Sequence, residues 1–231
     1  MTATVIEDSR LSNRTGVYQD RDDAGEHLAT ALEQFRGKDA IVLAIPSGGV
    51  PVGLAVSSCL ELPFDLLIIR KIPIPGYTES GFGAVSLEGD MMLNEPLVRE
   101  LGLTREEIEV LAKPVHEGLL ARNRIFREDR PWPELAGKTV ILVDDGLASG
   151  YTMLAAVRVV QRRKPSQIVV AVPTASASTI KLLATRVDTI FCPNIRSGYS
   201  FAVADAYRNW YDLDRTEVIN LLKSHGLLSK K

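Results

Sequence analysis

The sequence predicts an α/β protein: a doubly wound, mostly parallel five-stranded sheet flanked by helices, with a lid and a hood added to it. Three observations carry this. Five short apolar runs are spread along the chain, at residues 41–45, 66–69, 140–143, 168–172 and 189–191. The first four are continuous rather than alternating and contain many β-branched residues, the pattern of strands buried on both faces. Segments of helical period lie between several of them, and alternation of strand and helix is the signature of crossover-connected parallel strands.

In chain order, a helix is expected over 22–35, ahead of the first run. Residues 51–60 place Val52, Ala55, Val56 and Cys59 on one stripe. Residues 152–163 do the same with Leu154, Val157 and Val160, and Pro165 ends that segment. Ser176 is a candidate N-cap for a short helix over 176–185. The rhythm breaks between Pro73 and Trp132. Pro73, Pro75 and Gly76 open this stretch, and the Gly-punctuated segment from Gly81 to Asp90 reads as a hairpin or mobile loop turning near Gly89. A long helix over 105–129 follows, carrying Pro114 and Gly118. The expected organisation is one domain over 1–231, with 73–132 as a lid within it and 193–231 as a C-terminal hood.

Composition narrows the function classes. A chain of 231 residues with 45% hydrophobic and 24% charged residues excludes disorder and fibrous repeats. Its 27 Lys+Arg against 29 Asp+Glu give a net charge of −2, so no nucleic-acid or membrane partner is expected. Cys59 and Cys192 cannot form a disulfide framework, and His27, His116 and His225 have no metal or triad spacing. Glu7, Asp8 and Arg10 stand where a secretory leader needs an apolar run. No stretch approaches the roughly 18 apolar residues of a membrane span. A soluble, cytoplasmic protein is expected.

The chemistry is concentrated in Val140-Ile141-Leu142-Val143-Asp144-Asp145-Gly146-Leu147-Ala148-Ser149-Gly150-Tyr151-Thr152-Met153. A buried strand ends in two carboxylates, and a loop of small residues leads directly into a helix. Open α/β sheets bind ligands at the carboxyl ends of their strands. Gly150 permits close backbone approach, the Ser149 and Thr152 hydroxyls can donate, and helix N-terminal amides point to the same place. A phosphate fits that end, while adjacent carboxylates fit vicinal hydroxyls or a hydrated cation. One phosphate near a diol describes a ribose 5-phosphate. Ser47-Gly48-Gly49 follows the first strand and precedes a helix, so its amides are placed to receive a second phosphate group.

The segment from Asp144 to Thr152, after four apolar residues, resembles the phosphoribosyl pyrophosphate (PRPP) motif of type I phosphoribosyltransferases. The resemblance extends over about residues 41–191 and implies that family's fold. It also implies that Asp144 and Asp145 hold the ribose hydroxyls and reach Mg²⁺ through water, and that Ala148, Ser149, Gly150, Tyr151 and Thr152 hold the 5-phosphate. Ser47, Gly48 and Gly49 would form the pyrophosphate loop. Arg70 and Lys71 close the second strand where the family uses a basic residue against pyrophosphate, Lys71 being preferred. Residues 79–85 correspond to the family's flexible loop, Glu79 included.

The implied activity is Mg²⁺-dependent displacement of pyrophosphate from PRPP by a nitrogen of a nucleobase, in nucleotide metabolism, by a homodimer. Family members acting on 6-oxopurines carry an acid at the position of Ala148, so alanine there points toward the adenine and orotate types. Phe191, at a strand's carboxyl end, is the candidate for stacking on the acceptor base. The cluster Ser197-Gly198-Tyr199-Ser200-Phe201 lies beyond it, while Tyr207, Trp210 and Tyr211 read as packing. Arg122, Arg124, Arg127 and Arg130 read as a solvated helix face. Two alternatives compete: a PRPP-binding regulatory protein, and a hydrolase or phosphorylase acting on a phosphorylated ribose.

Overall fold

The computed structural model describes residues 2–198 and 200–229, and the side chains of all of these except 77–80. Tyr199 and the Glu79 side chain therefore lie outside the described residues. The first half of the chain runs β1 (Thr4–Ile6), α1 (Arg21–Ala31), β2 (Ala40–Ala44), α2 (Gly49–Leu60) and β3 (Phe64–Leu66). Next come β4 (Ile69–Ile74), β5 (Tyr77–Ser86), β6 (Met91–Leu93), α3 (Glu95–Glu100) and α4 (Arg105–Arg127). The chain continues through β7 (Thr139–Val143), α5 (Tyr151–Gln161), β8 (Gln167–Ala171), β9 (Thr174–Ser176) and α6 (Ala177–Leu183). It closes with β10 (Thr189–Phe191), β11 (Asn194–Arg196) and α7 (Arg215–Ser224).

The main sheet has the order β1-β10-β8-β7-β2-β3, and each of its pairings is parallel. Four of the expected strands are present as β2, β7, β8 and β10, the run at 66–69 contributes only its first residue through β3, and β1 adds a sixth strand at the edge. Three exposed residues carry too little periodicity to announce a strand. In β7 the alternation of the pleat sends Val140 and Leu142 toward α5 and α6, and Ile141 and Val143 toward α1 and α2. All four are fully buried. Each contributes about 1.5–3 kcal/mol relative to exposure, which is why a continuous apolar run marks a central strand.

The run at 66–69 is split. Leu66 ends β3, and Ile69 begins an antiparallel sheet of order β4-β5-β6. This sheet is the first half of the expected lid and starts a few residues before Pro73. The Gly-punctuated segment is thus a hairpin, with Gly89 in its turn at φ +85. The family-like flexible loop at 79–85 falls within β5. Pro73 sits at a register shift, where a strand tolerates a missing donor. Helix α4 starts with a capping box between Thr104 and Glu107. Near its end Arg127 is not part of a solvated face: it is 1% exposed and donates to both Asp65 oxygens, at 2.9 and 2.8 Å. That bidentate pair fastens the lid helix to the end of the main sheet. At the other side of the lid, the hairpin turn meets the C-terminal end of α5, where Arg163 donates to Glu88 at 3.0 Å and Arg162 pairs with Asp90.

Candidate active site

Parallel pairing brings separate strand ends to one edge of the sheet. Val143 of β7 is paired with Ala44 of β2 on one side and Ala171 of β8 on the other. Ser47-Gly48-Gly49 and Asp144-Asp145 therefore leave the sheet side by side. Their contact is tight: a Cβ on Gly48 would lie 1.9 Å from Asp145 Oδ2, and one on Gly49 2.9 Å from Asp144 Cα. No side chain fits at either position. The Pro46–Ser47 peptide leading into this loop is cis, and the Gly49 amide donates to the Ile45 carbonyl at 3.1 Å.

Asp144 and the loop after it line a cavity of about 510 Å³. The opposite wall comes from Lys71 and Ile74 of β4, Gly81 and Gly83 of β5, and Asn94 and Leu97. A larger hollow of about 700 Å³ lies around Lys164, Gln167 and Asp188, at the other end of β8. It is lined without paired acids or an open helix N-terminus, so size alone does not mark the site.

The loop backbone is oriented by residues far along the chain. Thr179 and Ser176 both donate to the Ala148 carbonyl, the latter at 3.3 Å. Because a trans peptide sets C=O and the following N–H in opposite directions, the Ser149 amide is turned away from Thr179. Gly150 caps α5 with φ +77 and without a side-chain hydrogen bond, and a Cβ there would lie 2.5 Å from Thr179 Cγ2. The first amides of an 11-residue helix are thus open toward the cavity, beside the exposed Ser149. Open amides at a helix N-terminus are an arrangement that suits an anion.

The two acids differ. Asp144 Oδ1 accepts from the Asp145 amide at 2.9 Å, and burial, then the neighbouring Asp145 charge, push its pKa well above the ordinary carboxylate range. Burial also raises Asp145, but Arg21 opposes it, donating from Nε to Oδ2 at 2.9 Å. Asp144 lines the cavity, whereas Asp145 faces Arg21 and Gly48.

Of the residues singled out in the sequence, Lys71, Asp144 and Ala148 to Thr152 meet around this cavity. Gly48 and Gly49 lie against the acids, and neither they nor Ser47 are on the cavity wall. Arg70 does not join them: successive strand side chains alternate, and its guanidinium lies against Gly118 of α4 while Lys71 faces the cavity. Phe191 is corrected too. It is 1% exposed and packs edge-on against Phe35, with ring centroids 6.1 Å apart, so it offers no face to a base. Sequence reading passed over Arg21, whose place in the first turn of a helix gives no sign of its target. It also passed over Asn94 and Leu97, which only the folding of the lid brings to the site. Among the described residues there is no cluster of three or more His, Cys, Asp or Glu fit to hold a metal alone.

Comparison with known proteins bears on the family and the fold. The family model described as the phosphoribosyl transferase domain matches residues 18–206. The chain belongs to that family. As a member of it, the chain is 34% identical over 206 residues to a provisionally named phosphoribosyl transferase of Mycobacterium tuberculosis, in strain H37Rv and equally in strain CDC 1551 / Oshkosh. The match covers 89% of this chain and 46% of the relative, so the chain spans about half the length of the curated relatives it matches. The crystal structure of TT1426 from Thermus thermophilus superposes with a TM-score of 0.71 at 32% identity, covering 90% of this chain and 98% of that one. The phosphoribosyltransferase fold, a mostly parallel sheet flanked by helices, is thereby established for this chain.

Proposed function

We propose that the chain is a Mg²⁺-dependent phosphoribosyltransferase that moves ribose 5-phosphate from PRPP to a nucleobase nitrogen and releases pyrophosphate. The observation that carries this reading is the open N-terminus of α5 sharing one cavity with the Asp144 carboxylate. The helix amides and the Ser149 and Thr152 hydroxyls suit the 5-phosphate, and the carboxylate suits the sugar hydroxyls. With the Gly49 amide already bonded, donors for the pyrophosphate fall to Ser47 and Gly48, with Lys71 opposite from the lid.

In the reaction the C1–O bond to pyrophosphate breaks, the N–C1 bond forms, pyrophosphate leaves with the electron pair, and the proton of the acceptor nitrogen passes to pyrophosphate or water. Positive charge grows on the ribose and negative charge on the leaving group. In this reading Asp144 favours the first, and Lys71 with the loop amides the second. Asp144, whose carboxylate lines the cavity, would hold Mg²⁺ there, with water and ligand oxygens completing the shell that ion prefers. Held there, the ion would supply positive charge to the leaving pyrophosphate. The acceptor meets an aliphatic wall at Ile74 and Leu97 with one amide at Asn94, and residues 73–132 act as the lid that excludes water.

Pyrophosphate release from PRPP with Mg²⁺, measured with and without a panel of bases, tests the reading. Base-dependent release is expected. Release without any base makes the chain a hydrolase, and PRPP binding without release makes it a regulatory binder.

A further inference from the structure

Asp145 is held by two segments that neither the motif nor the lid contains. Arg21, in the first turn of α1, is 7% exposed, and its Nε–H donates to Asp145 Oδ2. Tyr207 donates its hydroxyl to the Asp145 carbonyl at 2.5 Å. Arg21 is itself fixed from behind. Its Nη1 donates to the Tyr211 carbonyl at 2.9 Å, and the guanidinium lies over the Trp210 ring, 4.0 Å from the centroid. A buried arginine with a charged partner, a carbonyl and an aromatic face has almost no rotational freedom left. The carboxylate it grips is correspondingly fixed, pressed against Gly48, where even one methyl group would collide with it. Asp144 accepts instead from the Asp145 amide, and its carboxylate lines the cavity.

From this division of labour, we infer that Arg21 is a positioning residue for the sugar-phosphate site: it holds Asp145 against the Gly48 backbone, so that Asp144 is the acid presented to the ligand's hydroxyls. The inference rests on the reading of the cavity as a PRPP site. It also accounts for the hood aromatics, since Trp210 is engaged with Arg21 and is not a stacking platform for the acceptor. Loss of Arg21 leaves Asp145 beside Asp144 without the cation that holds it, free to turn toward the cavity and crowd the diol.

The experiment compares Arg21→Gln, Arg21→Lys, Asp145→Asn and the Arg21→Gln/Asp145→Asn double variant. Each is titrated with PRPP and Mg²⁺ and, separately, with inorganic phosphate, and a crystal structure is determined for Arg21→Gln. Orienting groups one step behind a ligand-binding residue are worth about 10–100-fold. Arg21→Gln is therefore expected to weaken PRPP by about tenfold or more while phosphate binding at the α5 N-terminus is unchanged. Arg21→Lys should recover part of the loss. The double variant should be no worse than Arg21→Gln alone, because the two residues act through one contact. In the Arg21→Gln crystal the Asp145 carboxylate should have moved. Wild-type PRPP affinity in Arg21→Gln, equal loss of phosphate and PRPP, or an unmoved Asp145 overturns the inference. If the wild-type chain takes phosphate but never PRPP, the proposed function falls, and the position of Asp145 in the crystal still decides the role of Arg21.

Discussion

Asp144 follows four fully buried residues, and its half-buried carboxylate stands next to another acid, which together hold its pKa above the ordinary range. An acid raised in the folded state holds its proton more tightly there than in the unfolded chain. Stability therefore falls as pH climbs from the ordinary carboxylate range through the raised value. Asp144→Asn removes the repulsion and keeps an oxygen to accept from the Asp145 amide. The variant is expected to melt about 2–4 °C higher than the wild type at neutral pH, the shift worth ~1 kcal/mol in a chain of this size. The difference should vanish in acid, where Asp144 is protonated. Differential scanning calorimetry across pH checks both, and an unstabilised variant at neutral pH refutes the electrostatic assignment. A site residue that destabilises the empty protein is what a cation- or hydroxyl-binding acid costs.

Among the elements, α5 works at both ends: its N-terminus forms the phosphate loop and its C-terminal end pairs with the lid turn at Glu88 and Asp90. Those outer ion pairs are exposed enough to be worth ~0–1 kcal/mol each. The lid's firm attachment is the buried Asp65–Arg127 pair. Arg127→Met leaves Asp65 with Arg130 at 3.7 Å as its remaining cation and is expected to cost about 3–5 kcal/mol in urea unfolding. A loss below about 1 kcal/mol contradicts that role. The main sheet was legible in the sequence because its central strands are buried on both faces, which forces continuous apolar runs. The lid was less so. Pro73, Gly81 and Gly83 read as loop by propensity, yet β4 accepts Pro73 at a register shift and β5 carries the two glycines on the wall of the cavity, while Pro75 lies in the turn between the strands. Arg127 looked solvated because local composition does not reveal that Asp65, 62 positions earlier, faces it.

Across the whole molecule, the site joins a contiguous motif at 144–153 to a lid wall and to both ends of the chain. The motif was readable because strand end, acids, small loop and helix start are consecutive. Contacts such as Arg21 with Asp145, separated by 124 positions, depend on the path of the chain and leave no local trace. Phe191 misled for the same reason: a strand's carboxyl end is a ligand address, but pleat alternation decides which residue there faces the ligand and which faces Phe35. The most direct measurement of the central claim is calorimetric titration of PRPP with Mg²⁺ into the wild-type chain and into Asp144→Asn. Saturable one-to-one binding by the wild type and its loss in the variant is the predicted result. No binding by the wild type, or equal binding by both proteins, contradicts it.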